Sequence, residues 1–285
     1  MIAARTMLTT AVILLGACGR TQPVSRTKDS SVAHTDAGTA LVSRVTQGSF
    51  AFANSDGTQL LALDSLADPS TILGAVCSGG VAVTARYDHR ATRQSGGNGR
   101  QVAANFANEQ GDVFRVSGSK ATSDQTCYLS ADSLLMASAR GATMQKPADC
   151  ATEQVSRIAA AKSRQVIHCW DIASAPTHVE VLAVQFADID SAALASLVVF
   201  SGSSLWFDDF PAVHRAGDES VWRVDDEGVF SPTSFDVLFV AESPDGLVIA
   251  ITWAGAEGED SYLLRTDSAA SLRTLSKAYR YWSPT

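Results

Sequence analysis

The chain has 285 residues and a formal net charge of −8, and 46% of its residues are hydrophobic. Its basic residues are scattered and form no stripe between aromatic residues, which argues against nucleic acid as a partner. The acidic balance also argues against broad contact with anionic lipid.

The first residues have the pattern of a secretory signal peptide. Arg5 precedes an apolar run at residues 8–15, which is far shorter than the run of about 20 residues that spans a bilayer. The run leads into Leu15-Gly16-Ala17-Cys18, which resembles the lipobox of bacterial lipoproteins. The resemblance implies that residues 1–17 are removed and that fatty acyl chains such as palmitate modify Cys18. An ordinary cleaved signal with an incidental cysteine is the alternative.

Lipid modification would place the protein in the bacterial cell envelope. Two or three acyl chains hold a protein on a membrane without a transmembrane helix. Gly19, not Asp, follows Cys18, which the resemblance associates with an outer-membrane or surface address. Residues 18–45 are rich in small and polar residues and contain no aromatic residue, so they cannot bury enough apolar surface to fold. We expect a flexible tether whose ends lie roughly 30 Å apart.

Residues 46–146 predict an N-terminal β-rich region. Apolar runs at 49–52 and 59–63 flank Asn54-Ser55-Asp56-Gly57, which is typical of a hairpin turn. Alternating patterns predict further strands at 81–87, 112–116 and 126–129. The glycine-rich segment 95–99 lacks the Lys-Ser/Thr of a phosphate loop, so we interpret it as a surface loop.

Residues 147–285 predict a helix followed by an antiparallel β meander. Small and polar residues at 137–149, with Gly141 and Pro147, indicate a boundary. Asp149 can cap a helix that ends near Ser163 and has Val155, Ile158 and Ala159 on one face. A strand at 165–170 follows. Period-two patterns then predict strands at 179–186, 195–200, 205–210, 220–224, 235–241, 247–254, 262–265 and 272–281.

The predicted fold class is therefore mainly β, all-β or α+β, with antiparallel sheets in a sandwich or meander and one central helix near 150–163. Ser243-Pro244-Asp245-Gly246 and the strands around it resemble one blade of a bacterial β-propeller repeat. No steady period of about 40 residues recurs along the chain, so we do not predict a propeller. Several strands are also shorter than the segments of about ten residues that outer-membrane barrels use.

Four cysteines remain if Cys18 carries lipid. They are Cys77, Cys127, Cys150 and Cys169, and an even number in an exported chain predicts two disulfides with three possible pairings. We favour Cys77–Cys127 and Cys150–Cys169, because each loop then closes within one region. A zinc site is less favoured, since the Cys-x-x-Cys and Cys-x-x-His spacings are absent.

No motif predicts a catalytic residue, a metal site or a cofactor. Acidic residues cluster in turns and could meet to bind Ca²⁺, but we interpret them as solvated turn residues. Ser203 lacks the second glycine of a nucleophile elbow, and no two histidines have metal-ligand spacing. The acidic groups are Asp208-Asp209, Asp218-Glu219, Asp225-Asp226-Glu227 and Glu257 with Glu259-Asp260, and the histidines are His34, His89, His168, His178 and His214.

Aromatic residues concentrate in the C-terminal part of the chain, where we expect most of them in the core. On one strand Tyr279 and Tyr281 share a face, and Arg280 and Trp282 share the other. The leading hypothesis is a non-enzymatic binding or scaffolding module on a lipid anchor, with an envelope protein or glycan as partner. The alternative is an envelope hydrolase whose site assembles from dispersed acids and His178 or His214.

Overall fold

Alternating apolar side chains give most of this chain strands that bury one or both faces. In a computed structural model, residues 45–176, 178–213, 222 and 230–283 are described. Fifteen strands in these residues form a closed barrel, a five-stranded sheet and a four-stranded sheet, so the mainly β, antiparallel prediction is confirmed. The predicted signal peptide, Cys18 and nearly all of the tether lie outside the described residues, as does most of the strand predicted at 220–224.

The N-terminal strands close into a six-stranded barrel in the order β1-β2-β5-β4-β3-β6. Its interior is filled by buried side chains that include Leu60, Phe114 and Leu129. Asn54 Oδ1 accepts the backbone N–H groups of Thr58 and Gln59 at the predicted hairpin turn. The strands are β1 (Ser49–Ala53), β2 (Gln59–Ala62), β3 (Gly74–Cys77), β4 (Val81–Ala91), β5 (Gly111–Ser117) and β6 (Thr126–Ser130).

β6 closes the barrel because it pairs with both β1 and β3. Cys77 and Cys127 lie directly opposite each other on β3 and β6 and form the predicted disulfide. Short 3-10 segments connect elements at Pro69–Thr71, Ser78–Gly80, Ala103–Asn108 and Pro232–Ser234.

In the described part of the chain, two helices follow the barrel. In α1 (Ser133–Ser138), which the sequence analysis missed, the Asp132 carboxylate accepts the N–H groups of Leu134 and Leu135. The predicted helix is confirmed as α2 (Thr152–Lys162) and ends at Ser163, which has a left-handed φ of 50°. Its predicted cap is wrong: Ala151 is the N-cap residue and Asp149 ends a strand.

The five-stranded sheet packs α2 on its outer face, where Ile158 is buried against Leu182 and Val198. The strand order is β11-β10-β9-β8-β7. The predicted Cys150–Cys169 disulfide joins the start of α2 to β8. The strands are β7 (Thr143–Asp149), β8 (Val166–Ala175), β9 (Val179–Ile189), β10 (Ala192–Ser201) and β11 (Ser204–Val213).

The change from barrel to sheet falls between Ser130 and Thr143, which overlaps the start of the segment 137–149 that the sequence indicated and precedes the division at 146–147. Pro147 did not prevent a strand because β7 is an edge strand and its register shifts between Met144 and Ala148, an arrangement that tolerates a missing N–H group.

The last four strands form a central layer between the other two units. One face packs Ile249, Ile251 and Trp253 against the five-stranded sheet. The other face packs against the barrel and its following helix. The strands are β12 (Phe235–Ser243), β13 (Gly246–Ala254), β14 (Gly258–Thr266) and β15 (Leu272–Tyr281). None of the helices in the described part of the chain has the length and apolar character needed to span a bilayer.

Candidate functional site

The barrel-facing side of the central sheet changes from apolar to polar at one end. Leu238, Ala250, Leu263 and Ala278 pack against the barrel and α1. Because alternate residues of a strand share a face, the polar side chains beyond them face the same way. They are Asp236, Thr252, Glu259 and Arg280, and they line a cavity of about 400 Å³ together with barrel residues from Ser78 and the 122–126 segment and with Trp282.

Arg280 joins the central sheet to the barrel. Its side chain is only 4% exposed. Nε donates to the carbonyl oxygen of Gln101 at 2.7 Å, and Nη1 donates to the carbonyl oxygen of Asp124 at 2.9 Å and to Thr126 Oγ1 at 3.0 Å. Nη2 donates to Asp124 Oδ1 at 2.5 Å. The guanidinium group therefore has a barrel acceptor for each of its nitrogen atoms.

Glu259 lies opposite Arg280 in the β14–β15 pairing and is 7% exposed. Burial raises the pKa of its carboxyl group, and hydrogen bonds from hydroxyl groups and the nearby guanidinium partly offset this effect. Thr126 Oγ1 donates to Glu259 Oε1 at 2.6 Å, and Arg280 Nη1 lies 3.7 Å from the same oxygen. Glu259 is thus held in place by both the barrel and the sheet.

Asp236 is the carboxylate of the cavity with the most spare acceptor capacity. It is half-buried, burial raises the pKa of its carboxyl group, and it receives one long hydrogen bond of 3.5 Å, from Ser78. Its negative charge also raises the pKa of Glu259, so the two carboxylates interact. With Asp124, three carboxylates line the cavity against one guanidinium, and two negative charges remain unbalanced when all are ionised.

No protein-family model, curated protein or solved structure matches this chain.

The singled-out acidic groups that lie in described residues are dispersed in the fold. Glu259 reaches the cavity, but its neighbour Asp260 faces the other layer, where it accepts hydrogen bonds from Tyr262 and Lys277. Asp209 pairs with Lys162 and accepts a hydrogen bond from Ser196. Asp218-Glu219 and Asp225-Asp226-Glu227 lie outside the described residues. Among the described residues, no three His, Cys, Asp or Glu side chains are grouped to hold a metal ion.

Among the residues that the structure describes, the histidines and Ser203 do not join the cavity lining. His89 pairs with Asp88, and His168 is exposed and stacks on Trp170. His178 has a left-handed φ of 56° in the turn before β9. Ser203 lies in the turn between β10 and β11, where its carbonyl oxygen accepts a hydrogen bond from Arg157. His34 and His214 lie outside the described residues.

Most of the C-terminal aromatic residues belong to the core, as expected. Trp253 packs against Phe210 and Phe235, with ring centroids 4.9 and 5.1 Å apart. The predicted division of the last strand's side chains between two faces is confirmed in part. Tyr279 is 40% exposed, whereas Arg280 and Trp282 line the cavity.

Sequence reasoning missed Asp236, Thr252 and Thr126 as a group. A signal was present, because polar residues occupy positions that the alternation assigns to a buried face. Thr252 follows Val248 and Ala250 at every second position of β13, and Asp236 precedes Leu238 in the same way on β12. Such breaks in an apolar face indicate a polar network or a site.

Proposed function

We propose that this protein is a lipid-anchored binding module of the bacterial cell envelope, and that its ligand enters the cavity between the barrel and the central sheet. The observation that carries the proposal is the cavity itself, a concave site of about 400 Å³ onto which charged and hydroxyl side chains converge. Its walls come from two layers that Arg280 holds together, so the site is preformed.

Two features support an envelope location. The lipobox-like segment ends at Cys18, and the two disulfides are typical of proteins that fold in an oxidising compartment.

Blocking the cavity tests the binding role. Ser123 lies exposed at the cavity, so Ser123→Trp should fill its mouth, whereas Ser203→Trp adds the same side chain to a distant turn of the five-stranded sheet. Purified full-length protein is incubated with envelope extract that contains proteins and glycans. We expect wild type and Ser203→Trp to retain the same partner or glycan and Ser123→Trp to lose it. Equal retention by all three proteins would place binding elsewhere and reject the cavity.

One observation favours a hydrolase as the second candidate. Asp236 and Glu259 interact within one cavity and burial raises the pKa of both, as general acids require. Because Glu259 already interacts with Thr126 and Arg280, we rank a binding function above a hydrolase function. If the protein cleaves an ester, peptide or glycoside, Asp236→Asn should abolish the cleavage, and a full rate in that variant would remove this candidate.

A further inference from the structure

We propose that the cavity takes an organic ammonium group and that Asp236 is the carboxylate that binds it. This inference rests on the proposed binding function, because it names the chemical class of the ligand for the same cavity.

The hydrogen bonds already made in the cavity decide which groups are left for a ligand. Arg280 donates from all three nitrogen atoms to barrel acceptors, so it has little capacity to hold an anion. Glu259 is buried, accepts from Thr126 and lies beside Arg280. Asp236 has one long hydrogen bond and lines the cavity. A ligand therefore meets a carboxylate with free lone pairs and no free guanidinium.

The charge balance points the same way. Three carboxylates and one guanidinium line the cavity, and the guanidinium pairs with Asp124 and Glu259. An anionic ligand would add to this negative excess, whereas a cation would reduce it. Hydrogen bonds between ammonium and carboxylate groups are charge-assisted and stronger than neutral ones.

Trp282 lines the same cavity. An indole face attracts cations, and it also stacks against the carbon framework that carries them. This combination suits an amine on a sugar ring or on an alkyl chain better than it suits a small inorganic cation.

The test compares three sugars that differ in charge, together with one alkyl diamine. Glucosamine, glucose and glucuronate share one ring, and 1,5-diaminopentane carries ammonium groups on an alkyl chain. Binding to the full chain in detergent, at constant ionic strength, is followed by the NMR shift of the Trp282 indole N–H, which is assigned with Trp282→Phe. Comparing the two amines distinguishes an ammonium group on a sugar from one on an alkyl chain.

We expect at least one amine to shift the indole resonance with an affinity about 10-fold or more above that of glucose and glucuronate. Asp236→Asn should weaken amine binding about 10-fold or more. The matched control Glu242→Gln removes an exposed carboxylate from the same strand and should bind as wild type does.

Equal binding of glucose or glucuronate, no shift with any of the four compounds, or unchanged binding by Asp236→Asn would each overturn the inference. The proposed function fails on a different result, which is equal partner retention by Ser123→Trp. If retention depends on the cavity and Asp236→Asn retains the partner fully, the binding function stands and the ammonium assignment is wrong.

Discussion

Asp208 is a carboxylate whose burial opposes the folded state. It lies on β11, and burial, with a smaller contribution from Asp209, raises the pKa of its carboxyl group to about 6 from an ordinary value of 3.8. Between these two values the folded protein binds more protons at this site than the unfolded chain does. The free energy of unfolding therefore decreases as pH rises through that window and stays lower above it.

Asp208→Asn should remove this penalty. We expect the free energy of unfolding at pH 7 to rise by about 1 to 3 kcal/mol, and its decrease between about pH 4 and 6 to become shallower. Urea unfolding at several pH values measures both effects. Asp190→Asn, in an exposed turn, should change neither, and a pH dependence of Asp208→Asn equal to that of wild type would contradict the assignment.

Arg280 is the residue on which the polar network of the cavity depends. Arg280→Met removes four hydrogen bonds to the barrel and leaves Glu259 buried without its cation. We expect a loss of about 3 to 5 kcal/mol in the free energy of unfolding, measured by urea unfolding. Arg280→Lys should recover little, because an ammonium group cannot satisfy this fork of acceptors.

Two further variants test the cause of that loss. Adding Glu259→Gln to Arg280→Met should restore part of the stability, because the uncompensated buried charge disappears. Arg273→Met changes an exposed arginine of the same strand and should have an effect within about 0.5 kcal/mol. An equal loss in Arg273→Met would mean that the effect is not specific to the network.

For single residues, the alternation of the strand predicted that Arg280 and Trp282 share one face. It did not predict which residues they contact. Gln101, Asp124 and Thr126 lie more than 150 positions earlier in the chain. Local alternation cannot reveal such contacts, because it records only which face a residue occupies and not what covers that face.

The two disulfides are expected to contribute different amounts to the free energy of unfolding. Cys77–Cys127 closes a 50-residue separation between two barrel strands, and Cys150–Cys169 closes a 19-residue separation between the segment before α2 and β8. Chain entropy gives roughly 4 and 3 kcal/mol for loops of these sizes. The double variant Cys77→Ala/Cys127→Ala should lose more stability than Cys150→Ala/Cys169→Ala does in urea unfolding. The reverse order would show that local packing, not loop closure, determines these contributions.

Long alternating segments were the elements most accessible to sequence reasoning. The strands from β8 to β15 within the described residues coincide with predicted runs, and the structure mainly extends them by a few residues. Three elements were missed for identifiable reasons: β3 has four residues, α1 has six, and β7 contains Pro147 at an irregular register. Barrel closure through β6 was not predictable, because it depends on pairing between distant segments.

For the whole molecule, the anchor hypothesis makes a direct prediction. Cys18→Ala removes the proposed acyl acceptor, so the protein should move from the detergent phase to the aqueous phase on phase partitioning. Mass spectrometry of the wild-type protein should find an acylated Cys18 at the N-terminus. Ser25→Ala, in the predicted tether, serves as the control and should stay in the detergent phase. A detergent-phase Cys18→Ala protein would reject lipid anchoring.

The hydrogen bonds from Arg280 to the barrel also join segments that lie far apart in the chain. Its acceptors precede it by 154 to 179 residues, so these hydrogen bonds form only after the C-terminal strand has packed on the barrel. All six barrel strands precede the central sheet in the chain, and their surface with Phe50, Val76 and Tyr128 is covered only when that sheet packs on it. A barrel that forms before the central sheet packs on it therefore leaves apolar surface exposed, and intermediates of this kind are prone to aggregate.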